Sequence, residues 1–170
     1  MRPEVEWVLN QLGGVVDAQP ADHPLRRVDR DASQLYEGSS TVDMSTPIDD
    51  RTGDLQEANF VGARFADRSD SPIGTEFDLD AERVVGLRIE GYSGSFGHVD
   101  PQGTDGVVFS DLVDQITSAL YDGRKSPAAG GPDVAFTHLL LTNHAPQSAQ
   151  WADYHRYDVD VVLNGFAELP

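Results

Sequence analysis

The 170-residue chain has no cysteine, one lysine (Lys125) and two methionines. It also has no apolar run near the roughly 18 residues a membrane span needs. Without cysteine there are no disulfides, thiolate metal sites or thiol nucleophiles. The opening Met-Arg-Pro-Glu-Val-Glu-Trp lacks the apolar core of a signal peptide, so the chain is expected to stay in the cell that makes it. The near-absence of lysine does not mean an absence of base, because eleven arginines are present.

What dominates is acid. Twenty-one Asp and eight Glu face twelve basic residues, a formal net charge of −17. The aspartates run from Asp17 to Asp160 and 39% of residues are hydrophobic, so the charge is neither an acidic tail nor a mark of disorder. A compact monomer of this size exposes ~8,200 Å², or about one net negative charge per 500 Å². Such a surface repels itself in dilute buffer, whereas at 1 M salt the Debye length falls to about 3 Å. Asp over Glu, Arg over Lys and a diffuse acidic surface together point to molar salt as the working medium. The same balance argues against gripping a nucleic acid, since Arg26, Arg27 and Arg30 are diluted by Asp22, Asp29 and Asp31. It leaves room for DNA to pass close by without binding.

Periodicity gives the element order. Pro3, Glu4 and Glu6 suit a helix start, and Val5, Val8, Leu9 and Leu12 form one apolar face. Gly13-Gly14 predicts its end. Residues 15–75 are rich in Pro, Ser, Thr and Asp, and predict short strands near 26–30, 41–45 and 58–65. Between the last two lies an extended arm around 46–57, with residues 49–54 as its exposed turn. Residues 82–91 (ERVVGLRIEG) alternate as a strand, and 92–106 read as a Gly-rich loop. Ser110-Asp111 offers an N-cap for a helix carrying Leu112, Val113, Ile116, Ala119 and Leu120 and ending at Gly123. Residues 125–133 read as a flexible link, followed by strands at 134–143 and 155–166. The fold class expected is α+β, one domain over 1–170. A mostly antiparallel sheet carries an N-terminal and a central helix, and 42–75 is a long extended β arm or loop.

The chemistry-bearing residues are scattered. His23, His98, His138, His144 and His155 show no zinc-ligand spacing, and His138 in an apolar strand reads as structural. The Asp-rich stretches 49–57 and 100–105 miss the EF-hand register and read as solvated turns. Residues 91–97 (GYSGSFG) fit neither a dinucleotide loop nor a nucleophile elbow. No catalytic residue, cofactor or metal is therefore assigned. An arm too long for ordinary loop statistics suggests an assembly protein instead.

A helix ending in Gly-Gly, an arm, the strand ERVVGLRIEG, the helix FSDLVDQITSALYDG and a strand pair ending HRYDVDVVLNGF resemble the tail terminator (tail completion) proteins of long-tailed viruses. With the acidic surface, the chain resembles a version from a virus of haloarchaea. The resemblance spans 1–14 and 83–167. It implies a non-enzymatic tail-tube-like fold and a homohexameric ring that caps the tail tube and ends its polymerisation. That ring would join the tube to a neck or connector protein on the head side and pass DNA through its lumen. It also implies assembly in the host cytoplasm, residence in the virion, and no membrane partner.

Within that reading the 42–62 arm and the 92–106 loop are the expected contact surfaces. Met44, Ile48, Leu55, Phe60 and Val61, with Tyr92 and Phe96, are the interface candidates. The apolar residues of the arm could equally plug into their own core. Two alternatives stay open: another neck or tail-tube component, or a small halophilic enzyme or ligand-binding domain using His138, His144 or His155 with nearby Asp.

Overall fold

The computed structural model describes residues 1–38, 40–51, 58–74, 78–94, 97–131, 133–147 and 153–168, with Asp49 by its backbone alone. Helix α1 spans Pro3–Gln11 and α2 spans Gly13–Ala18. Strands β1 (Leu25–Asp29) and β2 (Gln34–Leu35) and a 3-10 turn (Ile48–Asp50) follow. Then come β3 (Asn59–Pro72), β4 (Asp78–Tyr92), helix α3 (Phe109–Asp122), β5 (Val134–Pro146) and β6 (Tyr154–Glu168). The fold is α+β. Six strands form one sheet in the order β2-β1-β3-β4-β6-β5. Four of the pairings are antiparallel, but β1 and β3 run parallel, so the sheet is mixed rather than merely antiparallel.

Alternation sets which residues face which side. On one side Val85, Leu87 and Ile89 of β4 and Val159, Val161 and Leu163 of β6 are buried under the helices. Val5, Val8, Leu9 and Leu12 and the α3 stripe of Leu112, Val113, Ile116 and Leu120 meet them there. Each such side chain contributes ~2 kcal/mol by leaving water. This side is closed at one end by Arg83, 2% exposed, which donates to Asp70 at 2.7 Å and lies 4.0 Å from Glu4. A second, smaller core of Val28, Leu35, Val42, Met44, Ile48, Ala58 and Phe60 occupies the opposite side.

Several expectations are corrected. Gly13-Gly14 does not stop the N-terminal helix but lies at a bend, and α2 continues beyond it. Neither glycine takes the left-handed backbone a stop requires, and Val15 is buried against the main core. Residues 41–45 are not a strand. Val42 and Met44 alternate inward, but beyond one bridge from Thr41 to Gln34 they pack by side chains and form no ladder. Arg51 does not sit on an exposed turn, being 5% exposed. β3 runs on to Pro72 after a bulge at Phe65/Asp67, where its residues become exposed. Helix α3 starts at Phe109 with Val108 as N-cap and no side-chain capping bond, which puts Asp111 in the first turn instead of at the cap. Part of the 125–133 link is tied down, because Ser126 N–H donates to the Thr137 carbonyl at 2.9 Å along the free edge of β5.

Candidate functional site

The side of the sheet away from the helices is only partly covered. Residues 41–51, here called the strap, cross it and leave the rest of β3–β6 open. The strap is held by a buried ion pair between Arg51 and Glu90, 3% and 0% exposed at the side chain. Tyr154 Oη donates to the same carboxylate. Burial first, then the neighbouring Glu90 charge, pushes the Tyr154 hydroxyl far above its ordinary range. Arg51 also donates to the Thr46 carbonyl at 3.0 Å and stacks over the Phe60 ring, 4.8 Å from its centroid. Glu90 pairs across the sheet with Phe60 and Arg156, so strand register places the carboxylate beneath the strap.

Beside the strap two outward sheet positions, Gly62 and Gly86, carry no side chain. A Cβ on Gly62 would overlap Met44 Sδ and sit 2.6 Å from Arg30 Cδ. The Arg30 stem therefore lies across β3 only because residue 62 has no side chain. A Cβ on Gly86 would sit 3.7 Å from Arg64 Cγ, ordinary contact, so Arg64 extends over β4 without requiring the glycine. Register then aligns Gly62 with Arg88 and Asp158, and Arg64 with Gly86 and Asp160.

Four guanidiniums, of Arg30, Arg64, Arg88 and Arg156, thus gather on one face of a chain with twelve basic residues. Arg156 donates to Asp158 at 2.7 Å, and Arg88 Nε lies 3.5 Å from the same carboxylate. Among the described residues Arg30 and Arg64 have no carboxylate within ion-pair distance. Burial, then the charges of Arg88 and Arg64, push Arg30 down to about 10. Arg88 and Arg156 also line a cleft of about 460 Å³ between the strap and β4–β6, with Met44, Pro47, Tyr92 and Tyr154. Further along the same face Leu140 and Phe166 are each 49% exposed, and Val84, Val162 and Leu140 form a row across three strands. The arrangement can take up carboxylate or other anionic groups next to apolar contact.

The interface candidates fall elsewhere. Met44 (6% exposed), Ile48 (1%) and Phe60 (0%) lie in the second core, and Val61 (0%) in the main one. These side chains are engaged within their own chain. Tyr92 is half-buried in the cleft wall, while Leu55 and Phe96 lie outside the described residues. The histidines are dispersed. His138 is exposed beside a β-bulge, His144 Nδ1 lies 2.6 Å from Tyr157 Oη, and His155 Nε2 lies 3.2 Å from Ser93 Oγ. Burial lowers the His155 pKa. His23 and His98 meet through their Nδ1 atoms at 2.8 Å. No three His, Asp or Glu converge as a metal-binding group among the described residues. Asp100 uses its carboxylate on its own turn, accepting from Gln102 N–H at 2.9 Å and from Thr104 Oγ1 at 2.7 Å. Residues 49–57 fall mostly outside the described residues.

The arginine cluster was missed in the sequence because its members come from three strands and a strand end. Its signal is parity. Gly62/Arg64, Gly86/Arg88 and Arg156/Asp158 all occupy the outward positions of their strands. No described helix is long and apolar enough to cross a membrane. A scan of the chain against protein-family models gives no match, and a search of curated proteins gives no significant one.

Proposed function

We propose that the chain is a structural virion protein of the head–tail junction in a virus of a high-salt host. Copies of it close into a ring, six by the resemblance, that caps the tail tube, ends its growth and joins it to a neck protein while DNA passes through. The observation that carries this reading is the open outer face of β3–β6. There the sheet exposes Leu140 and Phe166, each at 49%, beside an arginine cluster. Such an apolar and charged surface suits subunit packing. The order and patterning of the elements at 1–14 and 83–167 support the family, and the diffuse acid supports both the medium and a lumen to which DNA does not stick.

Six copies at −17 each carry −102 formal charges, so ring closure requires screening. Negative-stain imaging and light scattering from dilute buffer to multimolar KCl test the proposal. Single-layer sixfold rings that form only at high salt are the expected result. Long cylinders would make the protein a tube subunit, and a monomer at every salt concentration would overturn the reading.

A further inference from the structure

The arginine cluster carries more positive charge than the carboxylates beside it balance. Asp158 lies among the guanidiniums of Arg88 and Arg156, and neither Arg30 nor Arg64 has a carboxylate in ion-pair reach among the described residues. Asp158 also draws on Arg30 and Glu90 on Arg156, yet four guanidiniums around these carboxylates leave an excess of positive charge that an acidic group from outside would lower in energy.

The other side of the molecule carries the complement. Helix α3 buries Leu112, Val113, Ile116 and Leu120 and turns Asp111, Asp114 and Asp122 outward, all exposed. It contains no basic residue from Phe109 to Asp122. Tyr121, 37% exposed, adds an aromatic surface next to these carboxylates. The acidic helix face and the cationic sheet face lie on opposite sides of the sheet, so one copy cannot bring them together.

We infer that the open sheet face, through Arg30, Arg64, Arg88 and Arg156, docks the outer face of α3 from a second copy of this chain. The inference rests on the ring reading proposed above and names the surfaces that such a ring would use. The contact is heterologous, head to tail, the type that closes into rings or runs on into filaments. Guanidinium–carboxylate pairs in direct contact sit inside the roughly 3 Å screening length of molar salt, so they persist where long-range repulsion between copies does not. Leu140 on one surface and Tyr121 on the other supply apolar contact that salt does not screen. A nucleic acid fits less well. Its phosphate contacts weaken steeply as salt rises through counterion release, and the diffuse acid of the chain calls for a high-salt medium.

The test uses two exposed positions, Arg64→Glu and Asp114→Arg, alone and combined, in the full chain at multimolar KCl. Light scattering after size exclusion gives the mass, imaging gives the shape, and circular dichroism confirms that each variant is folded. Each single reversal is expected to raise the assembly midpoint concentration by roughly 100-fold, and the double variant to recover most of that loss. Assembly unaffected by either reversal, or no recovery in the double variant, overturns the contact. Open filaments sensitive to both reversals would support the contact while removing the ring-cap function. Closed rings indifferent to both would leave the ring-cap function standing and remove the contact. A wild-type monomer that captures duplex DNA through Arg64 puts a nucleic acid in place of the second copy and overturns the inference.

Discussion

The two sides of the sheet are built by different means. Under the helices, long periodic segments meet and the packing is almost wholly apolar, from Val5 to Leu163. Under the strap, a few fixed points substitute for periodicity: a missing side chain at Gly62, a buried Arg51–Glu90 pair and a tyrosine that donates to it. The first side needs only apolar residues of suitable size at the right spacing. The second depends on opposite buried charges meeting, because a buried charge left alone is expensive. One side is therefore tolerant and the other conditional.

The largest expected effect separates the two sides. Glu90→Ala leaves Arg51 buried without its partner and should destabilise by ~3–5 kcal/mol. Hydrogen exchange should show protection lost over the bonded strap amides of Val42, Thr46, Asp50 and Arg51 while α3 keeps its own. Equal loss in α3 would mean that the two sides open as one unit. Replacing the whole group (Arg51→Met, Glu90→Leu and Tyr154→Phe) should recover much of the loss, since apolar side chains of similar volume avoid the desolvation penalty and leave no hydroxyl unpaired.

Next, Ile116→Ala should cost ~3 kcal/mol through a cavity in the main core, with exchange rising across both sides in a chemical-denaturation series. A loss confined to α3 would contradict a shared core. Gly62→Ala should cost ~2 kcal/mol by overpacking against Met44 and the Arg30 stem, and should leave the α3 amides unchanged.

The smallest effect concerns the loop ahead of α3. Hydrogen bonds from Gln102 N–H, then from Thr104 and Asp105, hold the Asp100 carboxyl down to about 2, against an ordinary value of about 3.9. A depressed carboxyl stabilises the fold above its ordinary value, and the contribution is lost as pH falls through the folded value, between about 4 and about 2. Carboxyl chemical shifts should titrate near the lower end. An inflection at the ordinary value would show that the turn is not held by Asp100.

The helix side was legible in the sequence and the strap side largely was not. Leu112, Val113, Ile116 and Leu120 announce a helix stripe, and Val159 and Val161 alternate with Asp158 and Asp160, because burial there follows local period. Val42 and Met44 show the same alternation without a strand, since period reports burial and not pairing. Glu90 reads as an outward strand residue, and so it is, but the strap then covers it. Residues 67–72 pair in β3 with a polar composition that gives no strand signal, their partners lying in β4. Gly13-Gly14 misleads for a related reason: whether glycine ends a helix depends on what the following turn can bury, and here it is Val15. The arginine cluster depends on register between strands distant in sequence, which no single window contains.

The parallel pairing of β1 with β3 has a consequence for how the chain reaches this fold. A parallel neighbour needs a crossover connection, usually filled by a helix; here β2 and the strap fill it. Joining Leu25 to Asn59 closes a loop of 34 residues, for which the length-dependent entropy alone is ~3 kcal/mol. The β3–β4 pair closes across a much shorter turn. The β1–β3 pairing therefore carries the larger closure cost of the two, and the edge of β3 that β1 covers is a row of backbone groups that would otherwise stand unpaired.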